Sequence, residues 1–513
     1  MASEHWQVRK PAVAGKNGLV ATQNREAAVV GADVLRRGGN AVDAAVATGL
    51  AIGAVEPWMS GLGGGGYMLV HRPAERATWC VAFPMPAPGR LDPSKYRLTG
   101  RMTTDGFGWP QVEGERNIKG HDAIGVPGLV AGLALALERF GTLGWAEAIA
   151  PAVDLALRGM TIDWYATLKI TTEAPLLVAY DESRRVFLPN GFPPVASPVD
   201  GSTRLPLGRL VETYRGLARR GPRDFYEGDV ARAIVADVAK GGGSLALEDL
   251  ASYRAAVEPA AKAMYRGEEV HVAPGLTGGP TLHAALERLG RWTPGKAPDG
   301  AAYAAYADAL VAAYAERLAS LGEGGTPGGS TTHITVIDRD GNLVSLTQTL
   351  LYLFGAGVML PETGILMNNA IAWFDPRPGR PNSLAAGRRP LANMCPAVVT
   401  RDGRGWLALG ASGGRRIVPA VLQLVSFAVD FGLDAETAAH TPRIDASGDG
   451  VACDPRLGRD AIAAIAARHP VVVAEAAVQP APYACPNLIL NRPGREAEGA
   501  AFIASPWAAV VAA

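Results

Sequence analysis

Four cysteines in 513 residues (Cys80, Cys395, Cys453 and Cys485) are too few and too scattered for a disulfide framework, and no C-x-x-C pair exists. They read as buried or incidental thiols. Charge of one sign is missing too: 49 Lys and Arg balance 49 Asp and Glu, so bulk electrostatics offers no grip on nucleic acid or an anionic membrane. No apolar run reaches the roughly 18 residues of a membrane span, and "MASEHWQVRKPAVAGKNGLV" lacks the apolar stretch of a signal peptide. The eight histidines, His271 and His283 among them, have no metal-ligand spacing, and no Gly-Lys-Ser/Thr follows "GLGGGG". These absences leave a soluble cytoplasmic protein with no nucleic-acid or membrane partner, no metal and no cofactor as the expectation.

What is present is a large apolar fraction, 48%, with 19% charged residues, enough for a sizeable core. Residues 25–55 read as two helices broken at Gly38-Gly39, with Asn40 capping a nearly all-apolar second one. Residues 129–158 read as a helical hairpin, and 210–241 as further helix. Residues 100–128 are turn-rich and read as a surface excursion. "AAYAAYADALVAAYAERLASLG" is a long helix that stops at a Gly-rich linker, and beyond Thr331 the chain turns β-rich. A strand is expected at 405–410 and a helix at 416–432. The composition shift near residue 325 is the main internal boundary.

That boundary falls within "GEGGTPGGSTTHITVIDRDGNLVSLTQTL". Thr331, His333, Thr335 and Ile337 alternate with Thr332, Ile334 and Val336, as on the two faces of one strand. Asp340-Gly341 predicts a type I′ turn, which returns a second strand and brings Thr347 to Thr349 beside Thr331. A threonine hydroxyl is a poor nucleophile without a base. The free amine of an N-terminal threonine, with an ordinary pKa of about 8, can serve as that base. Cutting Ser330–Thr331 would therefore make Thr331 nucleophile and base in one residue. The cut would be self-made: the Thr331 hydroxyl attacks the Ser330 carbonyl, and water resolves the ester. The plain alternative is a strand that merely begins with two β-branched residues.

"TTHITVIDRDGNLVSLTQT" resembles the start of the small subunit in the γ-glutamyltranspeptidase family of N-terminal-nucleophile hydrolases. The likeness is collinear along nearly the whole chain. "GGNAVDAAVA", "GLGGGGYMLV", "GVPGLVAGLALALERFG", "GPRDFYEGDVARAI" and "LEDLASYRA" resemble the large subunit; "GAGVMLPETGILMNN", "RRPLANMCPAVV" and "GASGGRRI" resemble the small one. The resemblance implies an α+β fold, a four-layer αββα sandwich with two stacked antiparallel sheets. It divides the chain into a mostly helical large subunit, 1–330, and a small catalytic subunit, 331–513, which stay together as a heterodimer; whether two such heterodimers pair is left open. It implies Thr331 as nucleophile, Thr349 as the hydroxyl bonded to it, and Gly413 with Gly414 as the N–H pair of the oxyanion hole. Consecutive glycines suit that task, since nothing on Cβ crowds the acyl carbon.

The family's γ-glutamyl grip is where the sequence departs. An arginine of the first half aligns with Pro84, the asparagine after the second strand with Leu351, a Gln and an Asp with Ala370 and Trp373, and a serine pair with Ala392-Asn393. Losing several charge-assisted hydrogen bonds, each worth roughly 1.5–3 kcal/mol, should weaken γ-glutamyl binding by orders of magnitude. The expectation is an amidohydrolase or acyltransferase whose acyl group is not a free γ-glutamyl, bound near Leu351, Ala370, Trp373 and Asn393. Arg415 is a candidate carboxylate contact, with a structural arginine as its alternative. Three rivals stand beside this reading. One is a true γ-glutamyltransferase or glutathione hydrolase with a rearranged pocket. Another is a serine esterase in which "GASGG" presents Ser412, with His440 or His469 as base. The last is an inactive relative.

Overall fold

The computed structural model describes residues 9–103, 109–199, 203–321, 330–479 and 481–513. The Gly-rich linker, 322–329, lies outside the described residues.

Two seven-stranded sheets, each antiparallel throughout, form the centre. The first runs, edge to edge, Ala509–Ala512, Gly18–Thr22, Ser330–Asp338, Leu343–Leu351, Gly65–Arg72, Ala77–Phe83 and Ala256–Pro259. The second runs Val13–Gly15, Ala497–Ala501, Cys485–Leu490, Arg404–Ser412, Ala397–Arg401, Glu268–Val272 and Ala261–Tyr265. Strands from both sides of residue 330 interleave in each sheet. The composition shift near 325 thus separates two stretches of chain that build one sandwich.

Every residue of Ser330–Asp338 is buried, because both faces are covered. Ile334 and Val336 point into a core shared with the helices Arg25–Arg36, Ala41–Val55 and Leu129–Phe140. On the opposite face, Ile337 joins the core between the sheets, and the His333 ring packs against Gly410. The helices Gly279–Leu289, Gly300–Leu321 and Ile417–Val429 cover the outside of the second sheet. Helix, sheet, sheet, helix is the αββα sandwich.

Local expectations fared unevenly. Asn40 does cap the Ala41–Val55 helix, in a reciprocal box with Asp43, and all 15 residues of that helix are buried. The 129–158 hairpin forms as Leu129–Phe140 and Trp145–Arg158. The hairpin turn is not type I′, however. Gly341 has a positive φ, 80°, but Asp340 does not, and the Asp338 carboxylate accepts from the N–H groups of Asp340 and Asn342, each at 3.0 Å. A type I turn followed by a glycine bulge results, since the Asp338 cap holds a longer loop.

Nor is 100–128 simply a surface excursion. Trp109, Asn117 and Ala123 to Val126 are buried, and the Asn368 side chain clamps Gly125 through both N–H and carbonyl. Hydrogen bonding to a distant asparagine drew inward a stretch whose composition reads as loop. The glycines of "GLGGGG" have a packing reason: a Cβ on Gly64 would lie 2.4 Å from the Thr349 carbonyl oxygen.

Candidate active site

A slip in strand register decides what faces Thr331. Ser330 pairs with Leu351 and Thr332 with Gln348, so Thr331 is opposed by two residues, Thr349 and Leu350. Such a bulge kinks the ladder and re-aims a side chain. The Thr349 hydroxyl donates to the Ser330 carbonyl, accepts from the Leu351 N–H at 2.8 Å, and stands 3.5 Å from the Thr331 hydroxyl oxygen. All three threonine and serine residues are buried. Leu351 leaves the strand with φ of 89°, followed by Phe354 at 59°. Positive φ at bulky residues is strain, held here by hydrogen bonds from Leu350 N–H to the Met59 carbonyl and Phe354 N–H to that of Trp58.

The second sheet reaches the same end of the sandwich. Thr22 pairs with Ile334, and the next residue, Gln23, sends its Nε2 to the Ser412 hydroxyl and to the Cys485 carbonyl at 3.3 Å. That side chain ties the sheets together beside the start of the Thr331 strand. After Ser412, Gly413 and Gly414 have φ of 137° and 61°. A Cβ at Gly413 would lie 2.9 Å from Ala484 Cα, so the position is closed to side chains on two counts. Among the described residues, neither glycine N–H has an acceptor. A 3-10 turn, Gly414–Arg416, then leads into the Ile417–Val429 helix, which begins one residue later and ends three residues earlier than the sequence predicts. Unpaired N–H groups at the head of a helix are a ready site for developing negative charge.

The positions expected to contact substrate fall into two groups. Leu351, Ala370 and Trp373 join one buried apolar cluster with Met85, Trp109, Ala392 and Met394. Pro84 offers its carbonyl to the Tyr253 hydroxyl at 2.7 Å. Asn393 and Arg415 belong instead to the end of the Gly300–Leu321 helix. Arg317 donates to the Asn393 side-chain oxygen at 2.9 Å and to the Ala392 carbonyl at 2.9 Å. One turn earlier on that helix, the Tyr314 ring lies under the Arg415 guanidinium, 5.3 Å from its centroid, and the Tyr314 hydroxyl donates to the Arg415 carbonyl. The helix that runs into the junction therefore holds both residues.

Ser412 is hydrogen-bonded to Gln23, and neither histidine proposed for it is a partner. His440 bonds through Nδ1 to the Glu436 carbonyl, and His469 through Nε2 to Asp308 at 2.7 Å. Among the described residues, no group of His, Cys, Asp and Glu is arranged to hold a metal, and no helix is long and apolar enough to cross a membrane.

Sequence reasoning missed Gln23, Glu56 and Trp58. Glu56, at the end of the fully buried Ala41–Val55 helix, is itself wholly buried and has no hydrogen-bond partner among the described residues. Burial pushes its carboxyl well above the usual range, against a smaller opposing pull from Lys169. A lone glutamine and a glutamate before a proline carry no pattern. Only the polar break after fifteen buried residues marks Glu56.

Two stacked antiparallel sheets covered by helices on both sides form the αββα architecture of the N-terminal-nucleophile hydrolases. The family is shown by comparison. The Gamma-glutamyltranspeptidase pattern matches residues 27–327 and 323–484, and the chain belongs to that family. It is 33% identical to the glutathione hydrolase proenzyme of Escherichia coli K12, with 84% of this chain and 81% of that one covered. It is equally, 33%, identical to the acylase ACY 1 proenzyme of Pseudomonas sp. SE83, with 90% and 88% covered. The structure of a cephalosporin acylase from Bacillus halodurans shares the fold at a TM-score of 0.86, with 24% identity and 100% and 98% coverage. Relatives of this kind support a catalytic role.

Proposed function

We propose that the chain cuts itself between Ser330 and Thr331 and then works as an N-terminal-threonine amidohydrolase or acyltransferase on a small amide whose acyl group is not a free γ-glutamyl. One observation carries the reading: the bulge that lets the Thr349 hydroxyl grip the Ser330 carbonyl while standing beside the Thr331 hydroxyl. That bond withdraws charge from the carbonyl carbon, which Thr331 Oγ1 attacks. Ser330 is passed to the hydroxyl as an ester, the Thr331 amine is freed, and water releases residues 1–330.

In the mature protein the amine takes the hydroxyl proton as Oγ1 attacks a substrate amide. Gly413 and Gly414 donate their N–H groups to the tetrahedral anion. The leaving amine carries the proton away, and an acyl-enzyme remains for water or another amine. The two fragments stay associated because their strands interleave in both sheets.

Substrate choice follows from the acyl wall. Leu351, Ala370 and Trp373 offer no charge to a zwitterion, and burying one unpaired is costly. The comparisons do not choose between classes, since a glutathione hydrolase and an acylase are equally similar. Intact mass tests the cut: wild type should give two fragments, and Thr331→Ala one chain. Turnover of a γ-glutamyl anilide at the rate of a true transpeptidase would overturn the substrate assignment in favour of a γ-glutamyltransferase with a rearranged pocket. An unbroken, active chain that needs Ser412 would instead support the esterase, and two fragments without turnover on any amide the inactive relative.

A further inference from the structure

Among the described residues, two of the four buried tryptophans, Trp58 and Trp373, have an indole N–H without a partner, while the other two, Trp109 and Trp406, have acceptors. Trp109 donates to the Ala372 carbonyl at 3.1 Å, Trp145 to that of Leu217 at 3.0 Å, and Trp406 to Glu268 at 2.9 Å. Trp373 is only 4% exposed, yet among the described residues its Nε1–H has no partner. An indole N–H left unpaired in a core is costly and ordinarily finds an acceptor.

The position of this one is fixed. Its backbone carbonyl accepts from Asn382 Nδ2 at 2.7 Å, and its ring belongs to the apolar cluster containing Leu351, Ala370 and Ala392. Leu351 in turn donates its N–H to Thr349 Oγ1, so one residue separates the wall from the candidate nucleophile pair. The neighbouring Asn369 reinforces that link, donating its N–H to the Leu350 carbonyl and accepting from Tyr352 N–H.

We propose that the Trp373 Nε1–H donates to an oxygen carried by the substrate's acyl chain, and that the acyl group is therefore apolar except for one carbonyl or ether oxygen. This rests on the reading of Leu351, Ala370 and Trp373 as the acyl wall. An ammonium is excluded because a donor cannot accept from it. A carboxylate against leucine and alanine, with one neutral donor, remains largely unpaired. A neutral oxygen satisfies the indole and asks for nothing else.

The test uses acyl p-nitroanilides of equal chain length, one all-methylene and the others with one methylene replaced by oxygen, walked along the chain. Wild type, Trp373→Phe and Thr331→Ala are compared, with processing followed by intact mass. Wild type should favour one oxygen position by about 10-fold or more in kcat/KM. That ratio should fall toward one in Trp373→Phe, which keeps a ring but loses the N–H. Both rates come from one preparation, so the ratio does not depend on the fraction folded. A preference that survives in Trp373→Phe, its absence in wild type, or an equal loss on all chains in the variant overturns the assignment. No turnover by wild type, or turnover persisting in Thr331→Ala, overturns the underlying reading instead.

Discussion

The Thr349 hydroxyl donates to the carbonyl of Ser330, nineteen residues earlier, while its oxygen lies 3.5 Å from that of Thr331. One side chain thus touches both groups that the proposed self-cleavage uses. Thr349→Val keeps the shape and removes the donor. Self-cleavage should slow by about 100-fold, with turnover falling too, and Thr349→Ser should restore most of both. Time courses of the intact chain on denaturing gels measure the first effect, and a rate unchanged in Thr349→Val would remove Thr349 from the chemistry.

Gly413→Ala should separate folding from catalysis. With φ at 137° and Ala484 Cα only 2.9 Å from the new methyl, the backbone must move to admit it. Strain of about 1–3 kcal/mol is expected, seen as a lower melting temperature. Moving one N–H of the pair should lower kcat by about 100-fold with little change in KM, because an oxyanion contact exists only in the transition state. A kcat equal to wild type would mean the N–H pair serves the turn alone.

What could be read from the sequence was local or periodic. The alternation of residues 331–337 gave a strand with two faces, and the chain after "SGG" gave a helix. The bulge opposite Thr331 was not legible, because register depends on which residues pair across the ladder, here Ser330 with Leu351 and Thr332 with Gln348. The link from Gln23 to Ser412 spans 389 residues, and no spacing rule connects two positions that meet only when the sheets stack. Arg415 shows the same limit: its place beside Tyr314 follows from helix packing, which the identity of either residue leaves open.

Buried histidines set the behaviour in acid. Burial lowers His71 and His271 to about 4 and His333 to about 3, each hydrogen-bonded to a threonine hydroxyl and held neutral. The ordinary value is 6.5, so below that pH the unfolded chain binds protons that the folded one refuses. Stability is complete above about pH 6.5 and falls as the pH drops toward 4, by on the order of 3 kcal/mol for one such group. Chemical denaturation from pH 8 to 4 should show this slope, and His333→Gln should flatten it. An unchanged slope in that variant would assign the loss to other groups.

Glu56 should act with the opposite sign. Its folded carboxyl is raised by burial, so the folded state holds a proton that the unfolded chain gives up above about pH 4.5. Its destabilising effect is absent at low pH and grows as the pH rises toward the folded value. Glu56→Gln keeps the size and polarity of the protonated acid without the ionisation. The variant should match wild type near pH 4.5 and exceed it in melting temperature as the pH rises above that value. A variant less stable than wild type at pH 8 would mean that Glu56 is ionised in the folded protein and paired with Lys169. That would place a buried ion pair beside Trp58, whose carbonyl holds the strained turn after Leu351.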